Sequence, residues 1–413
     1  MACALTRTYL VDSAKVTSQD ELHEAAAAVR RALPEIDQYV RRSDFHGYDP
    51  FDALMSPLFR LPVLRSNHYI RLAAQQVLKR LPVNPRRVIG IAPHLSAVTC
   101  ARMLEGYVHV AAVDADGRRA YAEAIDACLR RIDELRSPGY SGDCWGYEFD
   151  WEPRYAIPIP AGTPNIVATG IVTNALFDAY RLAGSGPALE SCASAAEFVV
   201  RDLDRSTRAD GSFCWGYFPH DRQLVLNATL KGARLCAQVF SSTGDAELLT
   251  TARQTVRFVS DQQRPDGGWP YSVGDPRSWV DNFHTGYVLD CLDAYERCTG
   301  DEEFAATRER GWRYYRTHFL TDDFLPKYFD QRLYPIDATA CAQTVTTLCT
   351  FKDVSAAARV ALSTLAHMRR RDGGFVYQRH ARFTNRVPYL RWSIAPMFAA
   401  LGRLRYALEG SDP

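Results

Sequence analysis

Apolar residues recur every three to four positions along most of the chain, which is the period of an α-helix, and strand-like alternation is scarce. The helical segments come in pairs. The first member of each pair is apolar nearly all round, whereas the second carries a one-sided apolar stripe. Short links with Gly or Asp join the two members, and these residue types commonly end and begin helices. The pattern therefore predicts hairpins of one buried and one half-exposed helix.

The loops between these pairs form a weak internal repeat, with copies at intervals of 50 to 68 residues. Each copy is a Gly or Asp turn followed by aromatic residues. The copies are "GDCWGYEFD" from Gly142, "DGSFCWGYFPHD" from Asp210, "DGGWPYSVGD" from Asp266, the fainter "DDFLPKYFDQ" from Asp322, and "DGGFVYQRH" from Asp372. A buried helix, a tight turn, a half-exposed helix and a long aromatic loop thus make up one repeating unit.

Six such units predict an all-α fold, an (α/α)6 toroid or barrel of helical hairpins with long aromatic loops on one face. Inner helices are predicted near 94–111, 165–183, 224–241, 283–298, 337–350 and 389–407. Outer helices are predicted near 118–136, 188–204, 245–262, 302–318 and 354–369, with 20–43 and 68–80 supplying the sixth outer element. A closed ring buries the inner helices on all sides, which favours it over an open helical solenoid. We expect 1–90 to be an N-terminal helical segment packing on the ring and 91–413 to be the toroid.

The segment "FVSDQQRPDGGW", from Phe258 to Trp269, resembles the glutamine–tryptophan repeat of the squalene/terpenoid cyclase and prenyltransferase toroids. "DGSF" and "DGGF" are degraded versions of it. Through "WGYEFDWEPR" and "WVDNFHTGYVLDCL", the chain also resembles bacterial toroid proteins associated with polysaccharide biosynthesis. The resemblance covers about residues 90 to 408 and implies the toroid fold. It does not specify the reaction, because such rings serve hydrolases, lyases, epimerases, cyclases and binding proteins.

Composition excludes few functions. A formal net charge of +1 gives no support to a nucleic-acid partner or a polybasic membrane anchor. The N-terminus turns polar by Arg7 and no run of 18 apolar residues occurs, so we expect neither a signal peptide nor a transmembrane helix. The eleven cysteines are scattered, which is typical of reduced core residues in a cytoplasmic protein. The oligomeric state is left open.

In such a ring, the first turn of each inner helix points into one funnel, beneath the loops that connect outer to inner helices. Polar side chains at these otherwise apolar positions are candidates for a ligand site. The first-turn candidates are His94, Asn165, Asn227, His284, Asp337, and Arg391 with Trp392. The loop candidates are Asp150, Trp151, Glu152, Arg154, Trp215, Tyr217, His220, Trp279, Asp281, Lys327, Tyr328, Tyr334 and Tyr389.

Three charged residues alternate in "FDWEPRY": Asp150, Glu152 and Arg154. On an extended loop their side chains face the same way. An arginine lowers the pKa of the carboxylate that it contacts and leaves the other free to stay protonated, so the pair can divide the roles of acid and base. A surface salt-bridge cluster is the alternative interpretation.

A second set of titratable residues surrounds two predicted helix starts. Asp281 suits either catalysis or the N-cap of the helix that starts at Phe283. His284 then lies in the first turn, where the helix dipole disfavours its cation and keeps it available as a base. A structural histidine is the alternative. Asn165 and Asp337 are also candidates for helix caps, although Pro335 and two tyrosines crowd Asp337 as in a pocket.

Several catalytic motifs are absent from the sequence. It has neither the Asp-x-Asp-Asp acid motif of class II terpene cyclases nor the paired-aspartate Mg²⁺ motif of class I synthases, and no P-loop, dinucleotide or zinc-protease fingerprint. Cys144, Cys214, His220 and His284 could all reach the mouth, but no Cys-x-x-Cys or Cys-His pair supports zinc. We therefore expect no metal and no cofactor.

These observations predict an enzyme of carbohydrate metabolism that acts on a sugar or uronic-acid-bearing small molecule or oligosaccharide by general acid/base chemistry, as an epimerase, lyase or hydrolase. Proton transfer is assigned to Asp150, Glu152, Asp281, His284 and Asp337. Substrate binding is assigned to the cations Arg154, Lys327 and Arg391, to Trp151, Trp215, Trp279 and Trp392, and to Tyr217, His220, Tyr328, Asn165 and Asn227. A terpenoid cyclase-like or prenyl-transferring enzyme and a non-catalytic glycan- or peptide-binding toroid are the alternatives.

Overall fold

A computed structural model describes residues 19–153 and 157–410 of the chain. Helices dominate this part. Their bounds are α1 Gln19–Arg42, α2 Pro62–Ser66, α3 His68–Arg80, α4 Ala97–Val113, α5 Ala115–Glu134, α6 Ile166–Ala183, α7 Gly186–Asp202, α8 Leu226–Thr243, α9 Ala246–Ser260, α10 Asn282–Thr299, α11 Ala305–His318, α12 Ala338–Thr350, α13 Val354–Met368 and α14 Ala395–Glu409. A π-helical turn, Leu390–Ile394, precedes α14, and 3₁₀ turns occupy Asp52–Met55 and Pro57–Arg60.

The helices form a closed double ring. The inner ring consists of α4, α6, α8, α10, α12 and α14, each in contact with the next, and α14 contacts α4. Five outer helices, α5, α7, α9, α11 and α13, each pack on the preceding inner helix, and α1 fills the sixth outer position against α13 and α14. The predicted (α/α)6 toroid is confirmed. The open solenoid is wrong, because the first and last inner helices touch.

Glycine allows the ring to close where α4 meets α14. A Cβ atom added to Gly402 would lie 2.7 Å from the carbonyl oxygen of Gly106, and one added to Gly106 would lie 2.4 Å from Cδ1 of Phe398. Backbones this close exclude any larger residue. The first and last inner helices are therefore closely packed against each other.

Tryptophans of the aromatic loop repeat hold the loops against the outer helices. In "DGGW", Gly267 has φ of 99°, and the indole of Trp269 is buried and donates a hydrogen bond to the carbonyl of Val259 at 3.0 Å. Trp145 does the same in the first copy, donating to the carbonyl of Ile132 at 2.7 Å. These tryptophans fasten each loop to the outer helix before it.

Short antiparallel strand pairs stiffen the same loops. The strands are β1 Arg205–Thr207, β2 Phe213–Trp215, β3 Leu224–Val225, β4 Ser272–Val273, β5 Ile336–Asp337, β6 Gln378–Arg379 and β7 Thr384–Asn385. β1 pairs with β2, β3 with β4, and β6 lies between β5 and β7. Because β3 and β5 lead directly into α8 and α12, this pairing fixes where two inner helices begin.

Residues 44–91 lie between α1 and the first inner helix and cover part of the funnel mouth. A buried ion pair holds this segment together: Arg86 Nε lies 2.7 Å from Asp52 Oδ1. A small apolar cluster of Ala53, Leu78 and Ile91 supports it. The division of the chain at residue 90 stays a prediction.

Among the helices of the described residues, none has the length and apolar character of a membrane-spanning helix. The ten described cysteines are free.

Candidate active site

A cleft of about 650 Å³ opens at the end of the ring where the inner helices begin. First-turn residues of α8 and α10 and the N-cap of α12 line it, namely Asn227, His284 and Asp337. The segment 44–91 closes one side with Phe51 and Lys79. The structure thus brings polar residues from the starts of three successive inner helices to one cleft.

His284 and Asp281 form a hydrogen-bonded pair at the start of α10. Asp281 Oδ1 accepts a hydrogen bond from the backbone N–H of His284, and Oδ2 lies 2.7 Å from His284 Nδ1. The indole of Trp279 donates to the same Oδ2 at 3.0 Å. The carboxylate at Nδ1 selects, for the neutral imidazole, the tautomer with its proton on Nδ1 and its lone pair on Nε2. Asp281 is therefore both the helix cap and the group that orients the imidazole.

Asp337 is a buried carboxyl at the start of α12, the neighbouring inner helix. Its Oδ1 accepts hydrogen bonds from the backbone N–H groups of Thr339 and Ala340, and its Oδ2 accepts one from Gln378 at 2.7 Å. Burial raises the pKa of Asp337 to about 6, although these hydrogen bonds and the charge of Lys79 oppose the rise. A carboxyl with this pKa holds a proton part of the time near neutral pH and can donate it.

Cationic side chains also line the cleft. Lys79 reaches it from α3, with Nζ 4.3 Å from the ring centre of Phe51, and burial lowers its pKa to about 8. Arg391 lies over the ring of Tyr147 at 4.4 Å, and its Nε is 2.5 Å from Oδ2 of the buried Asp49. These groups favour a substrate that carries or develops negative charge.

Aromatic side chains form an almost continuous rim around the cleft. Trp279 stacks on Tyr271 with ring centres 5.0 Å apart, and Tyr271 contacts the His284 ring edge-on at 4.6 Å. The rim continues through further ring contacts that involve Phe283, Trp392, Phe51, Trp151 and Tyr217. Apolar faces beside cations and carboxyls suit the mixed polar and apolar surface of a sugar ring.

Glu152 borders the cleft, but both its oxygens are engaged elsewhere. His68 Nδ1 lies 2.5 Å from Oε1 and Arg71 Nε lies 2.5 Å from Oε2, and both partners belong to α3. Its side chain has no exposed surface. Because both oxygens contact residues of α3, the role of Glu152 in this geometry is to fasten α3 over the cleft.

Some predicted site residues lie away from the cleft. Trp215 is 1% exposed and packs in the core against Phe213, because its loop folds under the funnel. Asn165 is a buried N-cap for α6, Asp150 accepts from the backbone of Ala161 at 2.9 Å, and Lys327 donates to the carbonyl of Asp330. The others outside the lining are the exposed His220, together with His94, Tyr334, Tyr389 and Asp281, which contacts His284. Arg154 lies outside the described residues.

The structure brings together ten of the residues predicted for the site, and they line one cleft: Trp151, Glu152, Tyr217, Asn227, Trp279, His284, Tyr328, Asp337, Arg391 and Trp392. Sequence reasoning missed Phe51, Lys79, Arg102, Tyr271 and Tyr287. Lys79 and Phe51 come from the segment 44–91, whose position over the mouth no local pattern indicates. Tyr287 was detectable, since it follows His284 by three residues and shares its helix face.

No three histidine, cysteine or carboxylate side chains within 19–153 and 157–410 are grouped to hold a metal ion.

The sequence matches no protein-family model and no curated protein. Solved structures do resemble the fold. A cellobiose 2-epimerase from Bacillus thermoamylovorans B4167 shares 13% identity, with a TM-score of 0.59 over 77% of this chain and 89% of that one. A family 76 α-mannanase from Bacteroides thetaiotaomicron shares 13%, with a TM-score of 0.56 over 76% and 86%. A sugar epimerase from a ruminal bacterium shares 13%, with a TM-score of 0.52 over 78% and 91%. These likenesses show the shared α/α-toroid fold.

Proposed function

We propose that the protein is a sugar-acting enzyme that works by general acid/base chemistry, and that epimerisation at the carbon next to a carbonyl is the reaction which its cleft suits best. One observation carries the proposal. His284, oriented by Asp281, and Asp337, whose pKa is about 6, stand at the starts of neighbouring inner helices in one cleft. Axes of packed helices lie about 8–10 Å apart, so one sugar unit can contact both groups.

The two groups have complementary roles in this reaction. His284 Nε2 takes the proton from the carbon beside the carbonyl, and the C–H electron pair forms the C=C bond of an enediol. Asp337 gives its proton to the carbonyl oxygen. This oxygen takes up the π electrons of the C=O double bond, which becomes a single bond. After rotation about the neighbouring C–C bond, His284 returns the proton to the opposite face of the carbon and Asp337 recovers its own. Lys79 and Arg391 stabilise the negative charge that develops on oxygen.

Hydrolysis of a glycosidic bond is the second candidate. The likeness to an α-mannanase favours it. Glycosidases need two carboxyl groups beside the scissile bond, one as acid and one as base or nucleophile. The carboxylates that line this cleft, within the described residues, are Asp337 and Glu152, and Glu152 is held by His68 and Arg71. This pairing leaves one carboxyl for the chemistry and favours epimerisation.

The charge of the cleft weighs against a terpenoid cyclase and against a protein that only binds glycans. A terpenoid cyclase needs a dry aromatic cavity with one strong acid, whereas lysine, arginine and histidine side chains line this one. A non-catalytic glycan-binding toroid has no need of a buried aspartate that orients a histidine, or of an acid with a raised pKa. The likenesses to two sugar epimerases add to the support for epimerisation.

The direct test is solvent exchange. The protein is incubated in D₂O with a panel of aldoses and disaccharides that have a free reducing end, and the products are followed by NMR. We expect deuterium at the carbon next to the carbonyl, together with the epimeric sugar. Release of monosaccharides without such exchange supports hydrolysis instead. Saturable binding with neither product, in the intact protein, contradicts an enzymatic role.

The pH dependence of kcat/KM offers a separate prediction. Asp337 acts as the acid in its protonated form, which dominates below its pKa of about 6 and disappears as the pH rises through that value. We therefore expect kcat/KM to fall with a midpoint near pH 6 on the basic side. Asp337→Asn keeps an oxygen for the helix cap. This variant should lose the fall of kcat/KM with rising pH and should have a lower maximal kcat/KM. A rise in kcat/KM through pH 6 would mean that Asp337 acts as a base.

A further inference from the structure

A second, smaller chamber lies inside the ring, towards the ends of the inner helices. Its volume is about 210 Å³. All six inner helices contribute polar side chains to it at helical spacing, so that one polar stripe of each helix faces the ring axis. These side chains include Arg102, Glu105, Asp178, Lys231, Arg234 and Arg403.

Two side chains stand between the chamber and the cleft. Arg102 and Tyr287 line both spaces and are hydrogen-bonded to each other. Arg102 Nη1 also lies 2.7 Å from Glu105 Oε2, and Lys231 Nζ lies 3.7 Å from the ring centre of Tyr287. At the far end of the chamber stand Arg181 and Arg297, both exposed. The chamber therefore has its own route to solvent on the face opposite the cleft.

Several buried polar atoms of the chamber have no hydrogen-bond partner within the described part of the chain. They are Arg234 Nε, Gln238 Oε1, Asp178 Oδ2 and Asp290 Oδ1. Arg234 is 9% exposed and Gln238 is 4% exposed. A buried donor or acceptor without a partner costs free energy, and unsatisfied groups are rare in folded proteins. Four of them around one cavity point to a ligand that is rich in hydrogen-bonding groups.

The chamber offers positive charge together with acceptors. Arg234 and Lys231 lie on one face of α8, and Arg403 faces them from α14, with Nη1 4.0 Å from Glu105 Oε1. The acceptors are the amide oxygen of Gln238 and the carboxyls of Asp178 and Asp290. A simple anion would satisfy the cations only, and an uncharged polyol would satisfy the acceptors only.

We propose that this chamber is a binding site for a small hydroxylated carboxylate, a sugar acid of about four carbons. Its carboxylate pairs with Arg234 and Lys231, and its hydroxyl groups donate hydrogen bonds to Gln238, Asp178 and Asp290. The size follows from the volume, since a cavity of about 150 Å³ holds benzene. The proposal does not depend on the reaction in the cleft, because binding at this site needs no turnover.

The test uses D-erythronate, a four-carbon sugar acid, with the uncharged tetritol erythritol as its matched control. Titration calorimetry on the whole protein should show saturable erythronate binding and at least tenfold weaker erythritol binding. Arg234→Gln should weaken erythronate binding at least tenfold, and Asp178→Asn should weaken it by a smaller factor. His284→Ala, which alters the cleft, should leave the affinity within twofold. Circular dichroism establishes that each variant is folded.

Each outcome decides the proposal. If Arg234→Gln fails to fold, Asp178→Asn together with Gln238→Leu carries the same test. Absence of saturable erythronate binding overturns the site, and equal affinity for erythritol overturns the role of the carboxylate. Loss of binding in His284→Ala, with Asp178→Asn unchanged, places the ligand in the cleft and also overturns the proposal. Failure of the exchange assay on sugars leaves erythronate binding unaffected, so the two proposals fail separately.

Discussion

Replacing His284 with alanine lowers kcat for the sugar substrate by about 10²–10⁴-fold, because the reaction loses its proton acceptor. The substrate still binds through the aromatic rim, so KM changes much less than kcat. The His284 side chain is 22% exposed and caps nothing, so the fold survives its removal. Steady-state rates from the D₂O exchange assay measure the loss, and thermal unfolding establishes that the variant is folded.

Two further variants sharpen this prediction. Asp281→Asn keeps an oxygen for the cap of α10 but no longer enforces the tautomer with the proton on Nδ1, so kcat falls by less than in His284→Ala. His220→Ala is the matched control, since His220 is an exposed loop histidine outside the cleft lining, and its kcat stays within twofold. An unchanged kcat in His284→Ala removes the imidazole from the mechanism.

The fold was predictable because the hydrophobic effect acts on local patterns. Helices that are apolar on all sides need neighbours on all sides, and six of them satisfy that need by closing a ring. The predicted inner helix near 283–298 is observed at Asn282–Thr299. The last inner helix differs most from its prediction. It was predicted to begin at residue 389, whereas the α-helix begins at Ala395, after a π turn. A π turn adds one residue per turn and leaves no mark in hydrophobic periodicity.

The site was predictable in part, for a geometric reason. Helix starts follow from the sequence, and the structure brings first-turn residues such as His284 and Asn227 to the cleft. Side chains on the loops were not all placed correctly, because a loop can turn a residue into the cleft or under it. Trp151 lines the cleft and Trp215 lies in the core, although both belong to the long aromatic loops that precede inner helices. Glu152 joins α3 through contacts more than 80 residues apart in sequence, which no local pattern encodes.

The chamber inside the ring was missed although its signal is in the sequence. The inner helices were interpreted as apolar nearly all round. Yet α8 carries Lys231, Arg234 and Gln238 at intervals of three and four residues, and α4 carries Arg102 and Glu105 in the same way. A polar stripe at this spacing on a buried helix indicates a polar cavity along the ring axis. Periodicity of the polar positions is therefore as informative as that of the apolar ones.

Breaking the buried pair of Asp52 and Arg86 produces the largest expected loss of stability. Neither side chain has exposed surface, and Arg86 also donates to the carbonyl of Asp49 at 2.7 Å. Arg86→Met leaves a buried carboxylate without its counter-charge, which costs about 3–5 kcal/mol of unfolding free energy. Urea unfolding measures the loss, and hydrogen exchange locates it in residues 44–91.

The same substitution also tests whether the buried pair holds the residues of the cleft in position. Asp49 binds Arg391, so loosening the segment 44–91 displaces this cation, and activity falls together with stability.

Arg201→Met is the control. Arg201 pairs with Glu197 on the exposed face of α7, where the two side chains are 67% and 49% exposed, and the loss there is about 0–1 kcal/mol. Replacing both buried partners with apolar residues, Asp52→Leu with Arg86→Met, should recover most of the stability without restoring activity, because the contact that positions Asp49 stays absent. Equal losses in Arg86→Met and Arg201→Met would show that the buried pair does not hold this wall of the cleft in place.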